Sequence, residues 1–360
     1  MKAPRSILVR TPNWIGDQIL AYPFFHFLRK SYPNARIAVA CVSWVESVQF
    51  LNLVDEVHVL PKPNEPGFLA RIRALEQGAA ELRAKGPWDL GISLPNSFSA
   101  AWTLKRAGAV HRRGFSVDAR GWLLTDRLNW TPSEKKHRAD AYLDLLPAAC
   151  SLPATEFFGI PASNELDSDI PGEIAEFDAE RAWPEAAPLD APAEPYWVLA
   201  PGAAAESRRW PVEFFRAVAE QVAADTRLRG FVVGGLAELP LAEELCRDPA
   251  LRLTDLTAQG PPTALWKIFR GARFTLSNDS GLAHVASLCG SPVQIVWGAG
   301  LPTRTQPIGP GRARVVFNPV ACWPCESNEC AQPPGRKIEC LRGIRPDAVW
   351  KEIQSGLFRR

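Results

Sequence analysis

The sequence has no apolar run that approaches the length needed to cross a bilayer. Its opening, MKAPRSILVR, holds too short an apolar segment for a secretory signal, so a cytoplasmic protein is expected. A charge bias is missing too: 22% charged residues and a formal net charge of +2 give no global argument for nucleic acid. G-x-G-x-x-G is absent, which leaves dinucleotide binding little support. No D-x-D motif of a metal-assisted transferase follows any expected strand, and no short-period repeat occurs. Eight cysteines in 360 residues are too few for a disulfide scaffold; in a reducing compartment they stay thiols or become metal ligands.

What is present is a strand followed by a helix, repeated in both halves, the pattern of open parallel α/β sheets. A chain of 360 residues can bury two ordinary cores. Strands are expected at Ser6–Arg10, Arg36–Val42, Glu56–Leu60 and Trp88–Leu94 in the first half. The second half should hold five, starting at Tyr196, Gly230, Leu251, Phe274 and Val293. Between the halves, residues 164–195 turn rich in acid, alanine and proline and read as a linker. The expected division is a first domain over 1–163, a second over 196–344, and a closing helix over 345–360.

One stretch organises the chain: FTLSNDSGLAHVASLCGSP, Phe274 to Pro292. Its strand ends in Ser277, Asn278, Asp279 and Ser280, short polar residues that cap helix starts. The helix that follows would aim the N–H groups of Ser280, Gly281 and Leu282 off the carboxyl edge of the sheet, where partial positive charge suits a phosphate. An ordinary capped helix reads the same way.

Near the start, Asp17 of NWIGD sits at the mouth of a helix expected to reach Lys30. It is either a simple cap or a base beside a ligand. LPNSF opens from the fourth strand as a turn with Asn96 and Ser97. Arg106, His111, Arg112, Arg113, Arg120, Lys135, Lys136, His137 and Arg138 concentrate positive charge in this half, either as solvated faces or as partners of acidic sugars and phosphates. Trp14, Trp102, Trp122 and Trp130 serve as core or as platforms for sugar rings.

In the order NWIGD, LPNSF, RRWP, SNDSGLAHV and a cysteine run, these motifs resemble the bacterial lipopolysaccharide heptosyltransferases of glycosyltransferase family 9. LPNSFSAAWTLKRAGAVHRRGF is most similar to the branch that adds the second heptose of the inner core. The resemblance implies an α/β protein of the GT-B fold, two Rossmann-like domains facing each other across a cleft, with the closing helix crossing back to the first. It implies an inverting, metal-independent transfer of L-glycero-D-manno-heptose from ADP-heptose to the first heptose of the lipid-A-linked core, with peripheral contact at the inner face of the inner membrane.

Carried onto this chain, the resemblance makes Asp17 the catalytic base. The donor falls to Arg208, Glu238, Asp279, Ser280, Gly281, Leu282 and His284, with Glu243 a second choice for the ribose. Arg208 stands where the family has lysine, keeping the charge and changing the geometry. Acceptor contacts fall to Asn13, Trp14, Asn96, Ser97, Arg112, Arg113 and Arg120. No catalytic metal or cofactor is implied; Cys322, Cys325, Cys330 and Cys340, spaced C-x2-C-x4-C-x9-C, are candidates for a structural metal. Two other readings stay open: the same fold and donor with another acceptor, either a different core sugar or a protein side chain, and a nucleotide-sugar-binding protein without transfer activity.

Overall fold

A computed structural model describes residues 3–130, 136–147 and 177–358. These residues fall into two compact units, 3–147 joined by Glu180–Pro184, and Glu185 onward joined by 177–179.

The first unit is one parallel sheet of β1 (Ser6–Arg10), β2 (Arg36–Cys41), β3 (Glu56–Val59), β4 (Leu90–Ser93), β5 (His111–Phe115) and β6 (Asp126–Leu128), in the order β3-β2-β1-β4-β5-β6. β1 lies between β2 and β4 with all five residues buried, as an unbroken apolar run predicts for a strand covered on both faces. The second unit repeats the plan with β7 (Tyr196–Ala200), β8 (Arg229–Val232), β9 (Leu253–Asp255), β10 (Thr275–Asn278), β11 (Val293–Trp297) and β12 (Ala313–Phe317). Its order, from the far edge, is β9-β8-β7-β10-β11-β12, again all parallel. Both sheets therefore reverse direction of growth once, between β1 and β4 and between β7 and β10. In a doubly wound sheet such a switch point opens a crevice at the carboxyl ends of the two strands, and ligands settle there.

Three expectations need correction. The first helix is two: α1 (Ile15–Leu20) ends at Ala21, and α2 (Tyr22–Ser31) begins there, because Pro23 has no N–H to continue the ladder. The closing helix, Pro346–Phe358, expected to pack on the first domain, is part of the second unit. Its stripe of Val349, Trp350 and Ile353 joins the second core beside Val218, Val222 and Phe274, and the Trp350 indole donates to Asp225 at 2.7 Å. Of the expected linker, 164–176 lies outside the described residues, and the remainder is packed: Leu51 donates to the Ala182 carbonyl at 2.9 Å, Leu189 to that of Ala264 at 2.9 Å, and Trp183 is buried.

Three more helices of the first unit matter below: α3 (Phe68–Lys85), α4 (Phe98–Arg106) and α5 (Arg138–Asp144).

Candidate active site

The first switch point is built from the ends of β1 and β4. β1 closes on Arg10, whose buried guanidinium donates to Asn13 Oδ1 at 2.6 Å and to the carbonyls of Thr11 and Ala40. Burial pulls its pKa down to about 10, still cationic at neutral pH. From the neighbouring strand's loop the Trp44 indole donates to the Asn13 carbonyl at 2.6 Å. Thus Asn13 is held from both sides, and the exposed Trp14 follows as the residue preceding α1. Asp17 is the third residue of that helix, half-buried, and close enough to the buried Tyr142 of α5 that its charge, after burial itself, helps raise the phenol's pKa.

Across the switch point, Ser97 caps α4 by accepting from Ala100 N–H at 3.3 Å. Asn96 and Ser97 are positioned by Arg120, which is fully buried. Its guanidinium donates to Phe115 O at 2.8 Å, Ser93 Oγ at 3.0 Å, Ser97 O at 3.1 Å, Asn96 Oδ1 at 3.2 Å and Pro95 O. So Arg120 acts on the loop rather than standing free in it, with its pKa lowered to about 10 by the same burial.

Arg112 and Arg113 are differently placed. Arg112, near the start of β5, donates to the carbonyls of Ala109, Val110 and Leu123. Arg113 pairs with Asp126 and donates to the carbonyls of Asp144, Leu145 and Leu146. Both guanidiniums are engaged by groups of their own domain. Lys135 of the basic run lies outside the described residues.

The second switch point joins the loop after β7 to the helix Gly281–Leu288 after β10. Asn278, the last residue of β10 and fully buried, fastens them: it donates to Pro201 O at 2.6 Å and accepts from Trp210 N at 3.0 Å. Next to it Arg208 Nη1 lies 3.3 Å from Asp279 Oδ2, the arginine partly exposed and the aspartate 4% exposed. Ser280 precedes the helix with extended backbone, and Gly281 and Leu282 open it. His284 is buried one turn further on.

Gly300, after β11, keeps the ground beside Asp279 clear. A Cβ there would come within 3.4 Å of Asp279 Oδ2 and 3.1 Å of Trp297 Nε1. That buried indole N–H finds no acceptor among the described residues. On the opposite flank Glu238 lies across the backbone of Gly202, where a Cβ would sit 2.5 Å from Glu238 Cγ. One of its oxygens accepts from Gly235 N–H at 2.8 Å. Glu243 is exposed, further along the helix Leu239–Cys246, so Glu238 is the acid nearer the switch point.

Sequence reading missed Arg10 and Asn278 as organisers. Each is the polar last residue of a fully buried central strand.

Residues 78–335 match the model of glycosyltransferase family 9 (heptosyltransferase), well over half of the chain. The chain belongs to this family. It is a glycosyltransferase. It is 26% identical over 314 residues to lipooligosaccharide heptosyltransferase 2 of Haemophilus ducreyi, covering 84% of this chain and 86% of that protein. It is 25% identical over 366 residues to lipopolysaccharide heptosyltransferase 2 of Escherichia coli K12, covering 98% and 99%. The solved structure of E. coli ADP-heptose lps heptosyltransferase II superposes with a TM-score of 0.71 at 21% identity, over 98% of this chain and 99% of that one. The two-domain fold read from the motifs is thus the fold of this transferase family.

The four clustered cysteines of this family member are free thiols, Cys322 and Cys325 exposed, Cys330 and Cys340 half-buried. Cys330 Sγ accepts from Ile338 N–H at 3.3 Å, and burial, with lesser effects of the other three thiols, raises the pKa of Cys340. Among the described residues no group of three or more histidine, cysteine or acidic side chains is arranged to hold a metal ion.

Proposed function

We propose that this heptosyltransferase moves L-glycero-D-manno-heptose from ADP-heptose to the first heptose of the lipopolysaccharide inner core, with inversion. The observation that carries the reading is the second switch point. There Arg208, Asp279 and the opening turn of the helix Gly281–Leu288 make a compact site for a diphosphate, with Glu238 at the flank where a ribose would lie.

In this reading Asp17 takes the proton of the acceptor hydroxyl as that oxygen bonds to the anomeric carbon. The bond from that carbon to the diphosphate oxygen breaks, and its electron pair leaves with ADP. The negative charge on the departing diphosphate is met by the N–H groups of Ser280, Gly281 and Leu282 and by Arg208. His284 and Asp279 hold the sugar and diphosphate.

A carboxylate at a helix N-terminus is a weak base. That suits a displacement in which the sugar develops oxocarbenium character early and the hydroxyl turns acidic only as its new bond forms. Asn13, Trp14, Asn96 and Ser97 receive the acceptor, held in place by Arg10, Trp44 and Arg120. The acceptor is lipid-linked, which calls for contact with the inner face of the inner membrane.

Mass spectrometry of products from ADP-heptose and a panel of truncated core acceptors tests the assignment. Expected is one added heptose only on acceptors that carry the first heptose. Transfer to a different core sugar or to a protein side chain would assign another acceptor, and ADP-heptose binding without product would make the chain a binding protein.

A further inference from the structure

The carboxyl edge of the first sheet carries an apolar and basic surface that the transfer chemistry does not use. α3 follows β3 at this edge, α4 follows β4, and the turn Gly121–Leu123 follows β5. The chain enters α3 through Gly67 at φ 137°, a backbone angle that favours glycine. The first turn of α3 then stands clear of the domain: Phe68 is 76% exposed, Leu69 66% and Ile72 40%. Exposed Arg71 and Arg73 alternate with them.

This turn is continuous with an aromatic cluster. Leu69, Ile72 and Glu76 share one face of α3 by their spacing, and Glu76 accepts from the Trp102 indole of α4 at 2.6 Å. Trp102 stacks on Phe98 at 6.0 Å between ring centroids, and Trp122, 55% exposed, lies 6.1 Å from Phe98 and 6.3 Å from Trp102. Lys105 Nζ sits 4.5 Å above the Trp122 ring, and Arg106 pairs with Glu76. The patch thus offers apolar tips, indole rings and cations. Of the nearby acids, Glu76 is engaged by Trp102 and Arg106, and Asp118 by the backbone of Phe98; Glu65 lies before Gly67.

We propose that this face docks the first domain on an anionic lipid bilayer. Phe68, Leu69 and Ile72 enter the headgroup boundary, Trp122 lies at its level, and Arg71, Arg73 and Lys105 meet lipid phosphates. A second copy of the chain fits less well, because a two-fold contact centred here would press Arg71 and Arg73 against their own kind. The purpose of the surface rests on the lipid-linked acceptor proposed above, since docking would bring the edge that carries Asp17 to the acceptor's membrane. Its test does not.

The full chain, without substrates, is sedimented with vesicles of phosphatidylcholine alone and of phosphatidylcholine mixed with phosphatidylglycerol. Binding to the mixed vesicles is expected, with little to the neutral ones. The pair Arg71→Glu and Arg73→Glu, and the pair Phe68→Ser and Leu69→Ser, should each lower partition by about tenfold or more. Val110→Ser, at an exposed valine before β5 and so off this edge, should leave it unchanged. Turnover on a water-soluble truncated acceptor should stay as in the unmodified chain for all three, showing that they fold.

Equal binding to neutral vesicles, undiminished binding by the two paired variants, or a dimer that these variants convert to monomer would each overturn the proposal. Vesicle binding by a protein that transfers no heptose would overturn only the functional reading above.

Discussion

At the scale of single residues, the proposed reaction assigns different tasks to the polar groups of the first switch point. Asp17 is half-buried on the first turn of α1, while Arg10 and Arg120 are buried and spend their donors on carbonyl and amide oxygens of the two loops. Replacing Asp17 with asparagine keeps shape and removes the base. The expected loss in kcat is roughly 10²- to 10⁴-fold, with the dissociation constant for ADP unchanged; steady-state kinetics and calorimetric titration check both. Turnover close to that of the unmodified chain would remove Asp17 from the chemistry.

Arg120→Lys asks a different question. Lysine keeps the charge but cannot reach five acceptors in a planar fork. Charge-assisted bonds are worth about 1.5–3 kcal/mol each, so the first domain should lose roughly 2–4 kcal/mol, read from denaturant unfolding. A merely structural arginine would stop there. As a positioning residue for Asn96 and Ser97, Arg120 should also raise the KM for the acceptor while leaving the KM for ADP-heptose in place.

At the scale of elements, legibility followed apolar content. β1, β7 and β11 are buried on both faces and read directly as apolar runs. β5 does not: HRRGF reads as a basic run, and it is a strand because Arg112 and Arg113 turn to carbonyls and to Asp126 instead of to solvent. Periodicity alone cannot show where a guanidinium will find an acceptor. β12 was missed as well, a half-buried edge strand whose Ala313–Phe317 gives a weaker signal. The strand-to-helix turn at Ser280 and Gly281 was legible because an apolar strand, short polar residues and a glycine leave a local signature, although Ser280 makes no side-chain cap bond. Arg10 and Asn278 were not, because their role is to join segments distant in sequence.

An edge strand also supplies a pH prediction. Arg36 of β2 holds Glu56 of β3 through two bonds of 2.6 and 2.8 Å, and this pairing lowers the Glu56 pKa from its ordinary 4.5. A carboxylate whose folded pKa lies below its unfolded one stabilises the fold at neutral pH, and that contribution is lost as pH falls through the folded value. Glu56→Gln should therefore cost under about 1 kcal/mol at pH 7, because the pair is a third exposed. The difference should close on acidification below the ordinary glutamate range. Unfolding midpoints of both proteins across that range are the measurement, and a gap that widens toward acid would contradict the assignment.

At the scale of the whole molecule, one strand order serves twice, and each copy has its own core. Trp197, Phe215, Phe274 and Trp350 pack in the second unit, Leu8, Trp88 and Leu104 in the first. The diphosphate site of the proposed reaction is built entirely from the second. Ligand that binds one folded unit stabilises that unit by mass action, by about 2.7 kcal/mol at a hundredfold excess over the dissociation constant. For a domain of this size that corresponds to a rise of roughly 5–10 °C in its melting temperature. Scanning calorimetry with ADP should move the transition of the second unit by that amount and leave that of the first in place. A variant at Arg208 should abolish the shift, while Asp17→Asn should retain it. If ADP instead moved the first unit's transition, the nucleotide would lie at β1 and β4, and the assignment of donor and acceptor to the two domains would have to be exchanged.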